Sequence, residues 1–254
     1  MARPAEGSKY RATQGLPLVG VAKLIRADVK ASVAAGTLPR GLAVSVRVRH
    51  SSIDITLTAA PFEILSRAHV LAVDVLSDVH TRISRYTPLT LCALDRLEDI
   101  ANAYNYDNSE PETDYFNVRF YGHPSVSYVL EGQARAAMRL AMADALADLR
   151  VEYAHAKATM PPGEASTSLG DAIHFRFHPH GVGLNDSDRT IIAASRGRSW
   201  AELVAQYAPP PPPPASFVVV DSNPLAKLEA ELAEARRLNA ELRRRHGLEV
   251  CHVA

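Results

Sequence analysis

Three histidines near residue 180 have the spacing that most directly suggests chemistry. Residues 172–180 alternate apolar and polar side chains, which predicts a strand with His174, Arg176, His178 and His180 on one face. Imidazoles at this spacing can hold zinc when a third ligand and an open position exist, although an adjacent arginine opposes a cation. A metal-dependent enzyme that uses this strand is therefore one alternative, and we expect no bound metal or cofactor.

A second set of reactive side chains lies in residues 104–121, which we call the acidic aromatic segment. Its carboxylates are those of Asp107, Glu110, Glu112 and Asp114. Their spacing does not match the calcium loop of an EF-hand, and nothing in the sequence places two of them in a pocket for acid–base catalysis. The sequence therefore predicts no catalytic residue and favours a non-enzymatic protein.

The same segment is also a candidate protein interface. Loops favour small polar residues, whereas this one is rich in tyrosine and phenylalanine, which anchor many interfaces. An acidic surface of this kind can also mimic DNA and occupy a host nucleic-acid-binding protein. The residues predicted to form the interface are Tyr104, Asn105, Asp107, Asp114, Tyr115, Phe116 and Tyr121.

Basic side chains dominate the start of the chain. Residues 1–50 carry a net charge of +7 and residues 91–115 a net charge of −6, although the whole chain is neutral. Two solvated surfaces that partly neutralise each other explain this distribution, and so does a basic face for an anionic partner. In the second case, the basic arm would add Arg3, Lys9 and Arg11 to the predicted nucleic-acid-binding residues Lys23, Arg26, Lys30, Arg47 and Arg49.

Hydrophobic periodicity predicts the elements that position these side chains. A helix begins near Pro17, ends near Gly36 and carries Lys23, Arg26 and Lys30 as a stripe apart from its apolar face. A hairpin follows, because two runs alternate at period two around a loop at His50–Ser51. Its predicted register places Val48 opposite Ile53, Val46 opposite Ile55, and Arg47 opposite Asp54 as an ion pair.

The remaining pattern predicts an α+β fold, with a small antiparallel sheet covered by helices. Further helices are expected from Pro61, from Thr87–Pro88 and over residues 131–157, and a third strand over residues 116–121. The predicted organisation is a disordered basic arm (1–16), an α+β core (17–158), a small β-rich extension (159–208) with a strand at 190–194 and a helix capped by Ser199, a polyproline spacer (209–216), and a C-terminal strand and zipper-like helix (217–254).

The C-terminal helix has the spacing of a short coiled coil. Apolar residues recur at intervals of three and four, and Asn239 falls at a position where a buried amide favours a parallel dimer. The stretch covers only about three heptads, so a helix folded back on the body is the alternative. The predicted dimerisation residues are Leu225, Leu228, Leu232, Asn239 and Leu242.

Composition is typical of a globular protein, with 47% hydrophobic and 22% charged residues. The two cysteines, Cys92 and Cys251, suggest no disulfide framework and fit a reducing compartment. The N-terminus lacks the apolar core of a signal peptide, and no apolar run approaches the roughly 18 residues of a membrane span. We therefore expect a cytoplasmic protein with no membrane contact.

Several short motifs in residues 18–123 together resemble the large polyvalent protein-associated domain 29. They are the runs Ala22–Arg26, Val44–Arg49, Ser51–Ile55, Tyr104–Ser109 and Asp114–Phe116, the last followed by Phe120-Tyr121. The resemblance implies a protein of a phage, plasmid or other bacterial mobile element that handles incoming DNA or counters host defence in the host cytoplasm. It implies no catalytic residues, and the hairpin lacks the glycines that the family pattern has before Ser51-Ser52.

Taken together, these patterns favour a non-enzymatic binding protein of a bacterial mobile element. It would form a homodimer through its C-terminal helix and contact nucleic acid through the basic helix stripe. No helix-turn-helix or zinc finger is recognisable, so base-specific recognition is not expected. Two alternatives stay open: a host-protein-binding protein that uses the acidic aromatic segment, and the metal-dependent enzyme.

Overall fold

The computed structural model describes residues 5–76, 83–109, 117–161, 163–177 and 187–207. They form small sheets covered by helices, which confirms the predicted α+β class. The chain divides into two units, Met1–Pro209 and Pro210–Ala254, and every described residue belongs to the first. The polyproline spacer and the zipper-like helix lie outside the described residues, as do Leu225, Leu228, Leu232, Asn239 and Leu242.

Helices supply most of the described structure. The elements in chain order are β1 (Ala5–Glu6), α1 (Tyr10–Thr13), α2 (Leu18–Ala34), β2 (Ala43–Arg49), β3 (Ser52–Ala59), α3 (Arg67–Val75), α4 (Pro88–Asn102), β4 (Tyr106–Asp107), β5 (Ser125–Val126), α5 (Tyr128–Ala141), α6 (Ala143–Thr159), α7 (Glu164–Phe177), α8 (Asp188–Ser195) and α9 (Trp200–Tyr207). None of the helices in the described ranges is long and apolar enough to cross a bilayer.

The hairpin of β2 and β3 has the predicted register. Val48 lies opposite Ile53 and Val46 opposite Ile55 in an antiparallel pair, and the positive φ of His50 (47°) begins the two-residue loop. Period-two alternation turns these apolar side chains to one face, where they are packed in a core cluster with α2. The opposite face is polar, so the hairpin and α2 form a two-layer unit.

The N-terminal arm is ordered from residue 5, so the prediction of a disordered arm over residues 1–16 is wrong for its described part. Strand β1 pairs antiparallel with β4, and the N–H of Gly7 donates to the carbonyl of Asn105 at 2.9 Å. A Cβ at Gly7 would lie 2.1 Å from the carbonyl oxygen of Asn102. Backbone pairing of this kind leaves no hydrophobic period in the sequence, which is why the pattern missed it.

The third strand of the main sheet is β5, which runs parallel to β3, so the sheet is mixed rather than antiparallel. The prediction of a strand over residues 116–121 is wrong, because the described residues there make only single bridges. Tyr121 meets the sheet through its carbonyl, which accepts from the N–H of Ile53 at 2.8 Å. Gly122 follows with a φ of 143°, and a Cβ at this position would lie 2.2 Å from the carbonyl oxygen of Ile53.

Capping residues explain where the helices begin. The Thr87 side chain accepts from the N–H of Thr90 and caps α4, as predicted, whereas α3 begins six residues after Pro61 because Ser66 caps it. The single helix predicted over residues 131–157 is two helices, α5 and α6, separated by Met142 with a φ of −118°. Such a φ lies outside the helical region and breaks the run.

Helices α7, α8 and α9 occupy most of residues 163–177 and 187–207, so the predicted β-rich extension (159–208) and its strands are wrong in the described part. Helix α7 buries Ala165, Leu169 and Ile173 at four-residue spacing against α3 and α6, and its Phe175 is 73% exposed. Ser187 caps α8 in place of a strand at 190–194. Ser199 caps α9 as predicted, in a reciprocal capping box: its N–H and hydroxyl donate to the Glu202 carboxylate, and its Oγ accepts from the Glu202 N–H.

Candidate functional site

Asn105, predicted as an interface residue, ties two backbone segments together. Its Oδ1 accepts from the N–H groups of Tyr106 at 3.0 Å and Phe120 at 3.3 Å, and its Nδ2 donates to the carbonyl of Phe120 at 3.2 Å. The amide therefore joins β4 to the segment that leads towards β5. Its contacts make it a structural residue, and its side chain is half-buried.

Asp107 and its neighbours close the base of the loop that follows β4. The Asp107 Oδ1 accepts from the N–H of Ser109 at 2.9 Å, and the hydrogen bonds from Ser109 hold the pKa of this carboxyl below its usual value. The Ser109 Oγ accepts from the N–H of Asn117 at 3.2 Å, and the Asn108 N–H donates to the Asn117 carbonyl at 2.9 Å. The predicted interface residues Asp114, Tyr115 and Phe116 lie outside the described residues.

Tyr104 is a core residue, so its prediction as part of an exposed interface is wrong. The side chain is almost fully buried, and its hydroxyl donates to Asp28 Oδ2 at 2.7 Å. The same oxygen accepts from Lys9 Nζ at 2.5 Å. Burial alone would raise the pKa of Asp28, but the hydrogen bonds from Lys9 and Tyr104 outweigh it and lower that pKa. Sequence position gave no sign of this long-range contact.

Arg119 also joins two segments of the chain through hydrogen bonds, and the sequence did not predict this role. Its guanidinium donates to the Thr13 Oγ1 at 2.8 Å and to the Tyr104 carbonyl at 2.9 Å, and it lies over the Tyr10 ring. These contacts fasten the N-terminal arm to the acidic aromatic segment. The available signal was a lone arginine within the mostly apolar stretch from residue 118 to residue 121.

The hydrogen bonds of Asn105 and Arg119 hold the backbone around a cleft of about 870 Å³. This cleft lies between β1, the end of α4, β4 and the segment that ends at His123. We call it the acidic cleft, because no lysine or arginine is among the described residues that line it. His123 Nδ1 lies 2.9 Å from Glu98 Oε1 at its rim. Asn105, Asp107 and Tyr121, which were predicted as interface residues, line the cleft too. Its carboxylates are those of Glu6, Glu98, Asp99 and Asp107.

Nearby cations neutralise only part of the negative charge of the carboxylates on α4. Burial and then the nearby charge of Asp99 raise the pKa of Asp95, although Arg196 opposes the shift from 3.6 Å. Glu6 is paired with Arg11 at 2.5 Å, whereas Asp99 is exposed and has no ion pair among the described residues. The cleft therefore offers negative charge to a cationic group.

The three basic residues predicted on α2 share one exposed stripe. No acidic residue lies on the same stripe as Lys23, Arg26 and Lys30, because Asp28 points towards Lys9. Arg26 Nη2 also donates to the carbonyl of Val46 at the outer edge of β2. We call these three residues the basic stripe.

Arg47 and Arg49 do not belong to the basic stripe. Strand alternation places them on the polar face of the hairpin, opposite the face that packs on α2. The predicted ion pair between Arg47 and Asp54 is wrong, since Asp54 Oδ2 lies 3.1 Å from Arg49 Nε. On the arm, Lys9 pairs with Asp28 and Arg11 pairs with Glu6. The predicted basic residues within the described ranges therefore lie on three surfaces: α2, the polar face of the hairpin and the arm.

The predicted histidine strand does not exist in the described residues. His174 lies on α7 and is buried, while His178 and His180 lie outside the described ranges. Within those ranges, no three metal-ligating side chains converge. The wrong assignment arose because residues 172–177 satisfy both a period of two and a helical spacing, and only packing against α3 and α6 decides between them.

No protein-family model matches this chain. Neither a curated protein nor a solved structure matches it. The resemblance of residues 18–123 to the polyvalent protein-associated domain stays a prediction.

Proposed function

We propose that this protein is a non-enzymatic binding protein whose acidic cleft holds a positively charged segment of a partner protein. The observation that carries the proposal is the convergence of four carboxylates on one cleft that has no lysine or arginine among its described lining residues. Interfaces recruit partners through such complementary charge. This function corresponds to the host-protein-binding alternative rather than to nucleic-acid binding.

The size and stiffness of the acidic cleft support this function. A volume of about 870 Å³ matches the range of small-ligand pockets, so it can take one or two long basic side chains. Asn105 and Arg119 fix the backbone around it through hydrogen bonds. A preorganised site loses less conformational entropy on binding, which favours affinity. Carboxylates also accept the paired hydrogen bonds of a guanidinium.

The proposed setting follows from the sequence resemblance. The protein would act in the cytoplasm of a bacterial host as the product of a phage or other mobile element, and its partner would be a host protein. Dimerisation through Leu225, Leu228, Leu232, Asn239 and Leu242 stays a prediction.

A labelled peptide rich in arginine and lysine tests the proposal by fluorescence anisotropy. We expect binding that weakens with salt, and about tenfold weaker binding for the double variant Glu98→Gln/Asp99→Asn. The matched control is Asp144→Asn/Asp148→Asn, which makes the same charge change on α6. If both double variants weaken the peptide equally, only net charge matters and the cleft is not the site.

The second candidate function is nucleic-acid binding through the basic stripe, supported by the absence of acids from the exposed stripe that carries Lys23, Arg26 and Lys30. Labelled duplex DNA should then bind with an affinity that falls steeply with salt. Lys23→Glu should abolish that binding, whereas Arg47→Glu, on the other face of the hairpin, should only weaken it. Equal responses of the two variants would contradict a specific role for the stripe.

A further inference from the structure

The surface formed by α3, α5, α6 and the segment before α4 carries four arginines around two sheltered carboxylates. Arg139 Nε donates to Asp74 Oδ2 at 2.5 Å, and the Asp74 side chain is only 6% exposed. Arg85 Nη2 donates to Glu131, whose side chain is 13% exposed. We call this surface the arginine face and define it by Arg85, Arg135, Arg139 and Arg150.

Arg135 stands in the middle of the arginine face. Glu131, Arg135 and Arg139 follow one another at intervals of four residues on α5, so they lie on one stripe about one helical turn apart. The hydrogen bonds of Arg139 lower the pKa of Asp74, and the charges of Arg135 and Arg150 add to that effect. Arg139 therefore contacts Asp74 directly, and Arg135 and Arg150 act on the same carboxylate through their charge.

The oxygens of both carboxylates are already occupied. Glu131 accepts from the Tyr86 hydroxyl on Oε1 and from Arg85 on Oε2, while Arg139 donates to both oxygens of Asp74. Burial and then the hydrogen bond to Glu131 raise the pKa of Tyr86 to about 12, so this phenol stays a donor at neutral pH. Arg135 consequently has no ion pair within the described parts of the chain.

We propose that the arginine face binds a phosphate group through Arg135, with Arg85 and Arg139 beside it. A guanidinium offers a planar fork of N–H donors that fits the oxygens of a phosphate in pairs. Two positive charges remain after Glu131 and Asp74 are counted against the four arginines, so the arginine face attracts an anion. The phosphate belongs either to a nucleic-acid backbone or to a small phosphorylated molecule.

His69 is a built-in reporter for such a ligand. Burial and then the charges of Arg135 and Arg85 lower the pKa of this imidazole, while the Ile83 backbone and Glu131 oppose the shift. Asp74 on α3, Arg139 on α5 and Arg150 on α6 are further charged groups of the same surface. Arg67, also on α3, is paired with Glu63, and α6 carries Asp144, Asp148, Glu152 and Lys157 as well. A bound phosphate would offset the arginine charges, and the pKa of His69 would rise.

The test is a histidine-ring NMR titration of the full chain in sodium phosphate and in sodium chloride of equal ionic strength, with His69→Gln to assign the signal. We expect a saturable rise of the His69 pKa in phosphate only. Arg135→Gln should weaken phosphate binding about tenfold. Arg47→Gln makes the same charge change on the polar face of the hairpin and should leave binding unchanged.

A second arm separates the two sources of the phosphate. If a DNA oligonucleotide without terminal phosphates raises the His69 pKa in the same way, the ligand is a nucleic-acid backbone. If only inorganic phosphate does so, the ligand is a small phosphorylated molecule. Equal His69 pKa values in phosphate and chloride, or equal responses of Arg135→Gln and Arg47→Gln, would overturn the proposal.

Discussion

The acidic cleft and the arginine face use their carboxylates in opposite ways. In the cleft, Asp99 is exposed and no lysine or arginine is among the described lining residues. On the arginine face, the carboxylates of Asp74 and Glu131 are sheltered, and Arg85 and Arg139 are about half exposed above them. Since a sheltered carboxylate needs a partner, the arginine face leaves its guanidinium groups to solvent and ligands. The cleft instead leaves Asp99, which has no ion pair among the described residues.

This contrast explains why segment charge in the sequence is a poor guide to surface charge. The first 50 residues carry a net charge of +7, yet Lys9 and Arg11 are held by Asp28 and Glu6. The basic arm thus forms one wall of an acidic cleft. Lys9 docks the arm on Asp28 of α2, Arg11 pairs with Glu6 within the arm, and the carboxylates of α4 set the sign of the cleft.

The largest expected effect is that of Gly122→Ala, which should disrupt the acidic cleft and leave the arginine face intact. In Gly122→Ala the new Cβ would lie 2.2 Å from the carbonyl oxygen of Ile53, at a φ of 143°. We expect a loss of about 3 kcal/mol in the free energy of unfolding, together with loss of peptide binding at the acidic cleft. Chemical denaturation and peptide anisotropy measure these two effects.

Gly132→Ala is the matched control on α5, next to the arginine face. Nothing lies within 4 Å of its Cβ position, so this change should raise stability by up to about 1 kcal/mol. Similar losses in both variants would show that Gly122 is not a special position and that the cleft backbone tolerates a side chain.

Asn105→Ala tests whether the cleft is preorganised. The variant loses the three hydrogen bonds that join β4 to Phe120, and we expect about 2 kcal/mol of destabilisation with weaker peptide binding. Phosphate binding at the arginine face should not change. The control is Asn108→Ala, for which we expect a change within about 0.5 kcal/mol. An unchanged peptide affinity in Asn105→Ala would show that the amide does not shape the site.

The smallest expected effect is a pH dependence of the free energy of unfolding, caused by burial of His69 and by the charges of Arg135 and Arg85. The pKa of His69 is lowered in the folded protein, so the unfolded chain binds the proton more readily. The stabilising contribution is complete above about pH 6.5 and is lost as the pH falls through the lower folded pKa, with a slope of at most about 1.4 kcal/mol per pH unit. Denaturation curves between neutral and acidic pH measure this slope.

His69→Gln should flatten that slope, and His155→Gln controls for the loss of an imidazole at an exposed position on α6. A slope that is unchanged in His69→Gln would mean that burial and the charges of Arg135 and Arg85 do not lower the pKa of this histidine.

Local patterns predicted the parts of the fold that depend on neighbouring residues. The hairpin register follows from period-two alternation and a two-residue loop, and Thr87 and Ser199 are caps that the sequence displays directly. Helix α7 was missed because the burial of Ile173 and Leu169 depends on packing against α3, which lies far away in the sequence, as well as against the preceding helix α6.

The sites were predictable to different degrees for the same reason. Asn105, Asp107 and Tyr121 stood out in one segment, but their contacts with the arm and with Phe120 require the folded chain. The arginine face combines residues 85, 135, 139 and 150 from three places in the chain. Its only local signal was the four-residue spacing of charges on α5.

Amide chemical-shift mapping of the full chain with two ligands tests the central claim, that the protein has two separate surfaces of opposite charge. A basic peptide should perturb residues of the acidic cleft such as Asp99, Asn102 and Gly122. Inorganic phosphate should perturb His69 and Arg135, and the two sets should not overlap. Perturbation of one common set by both ligands, or of neither set, would contradict this account.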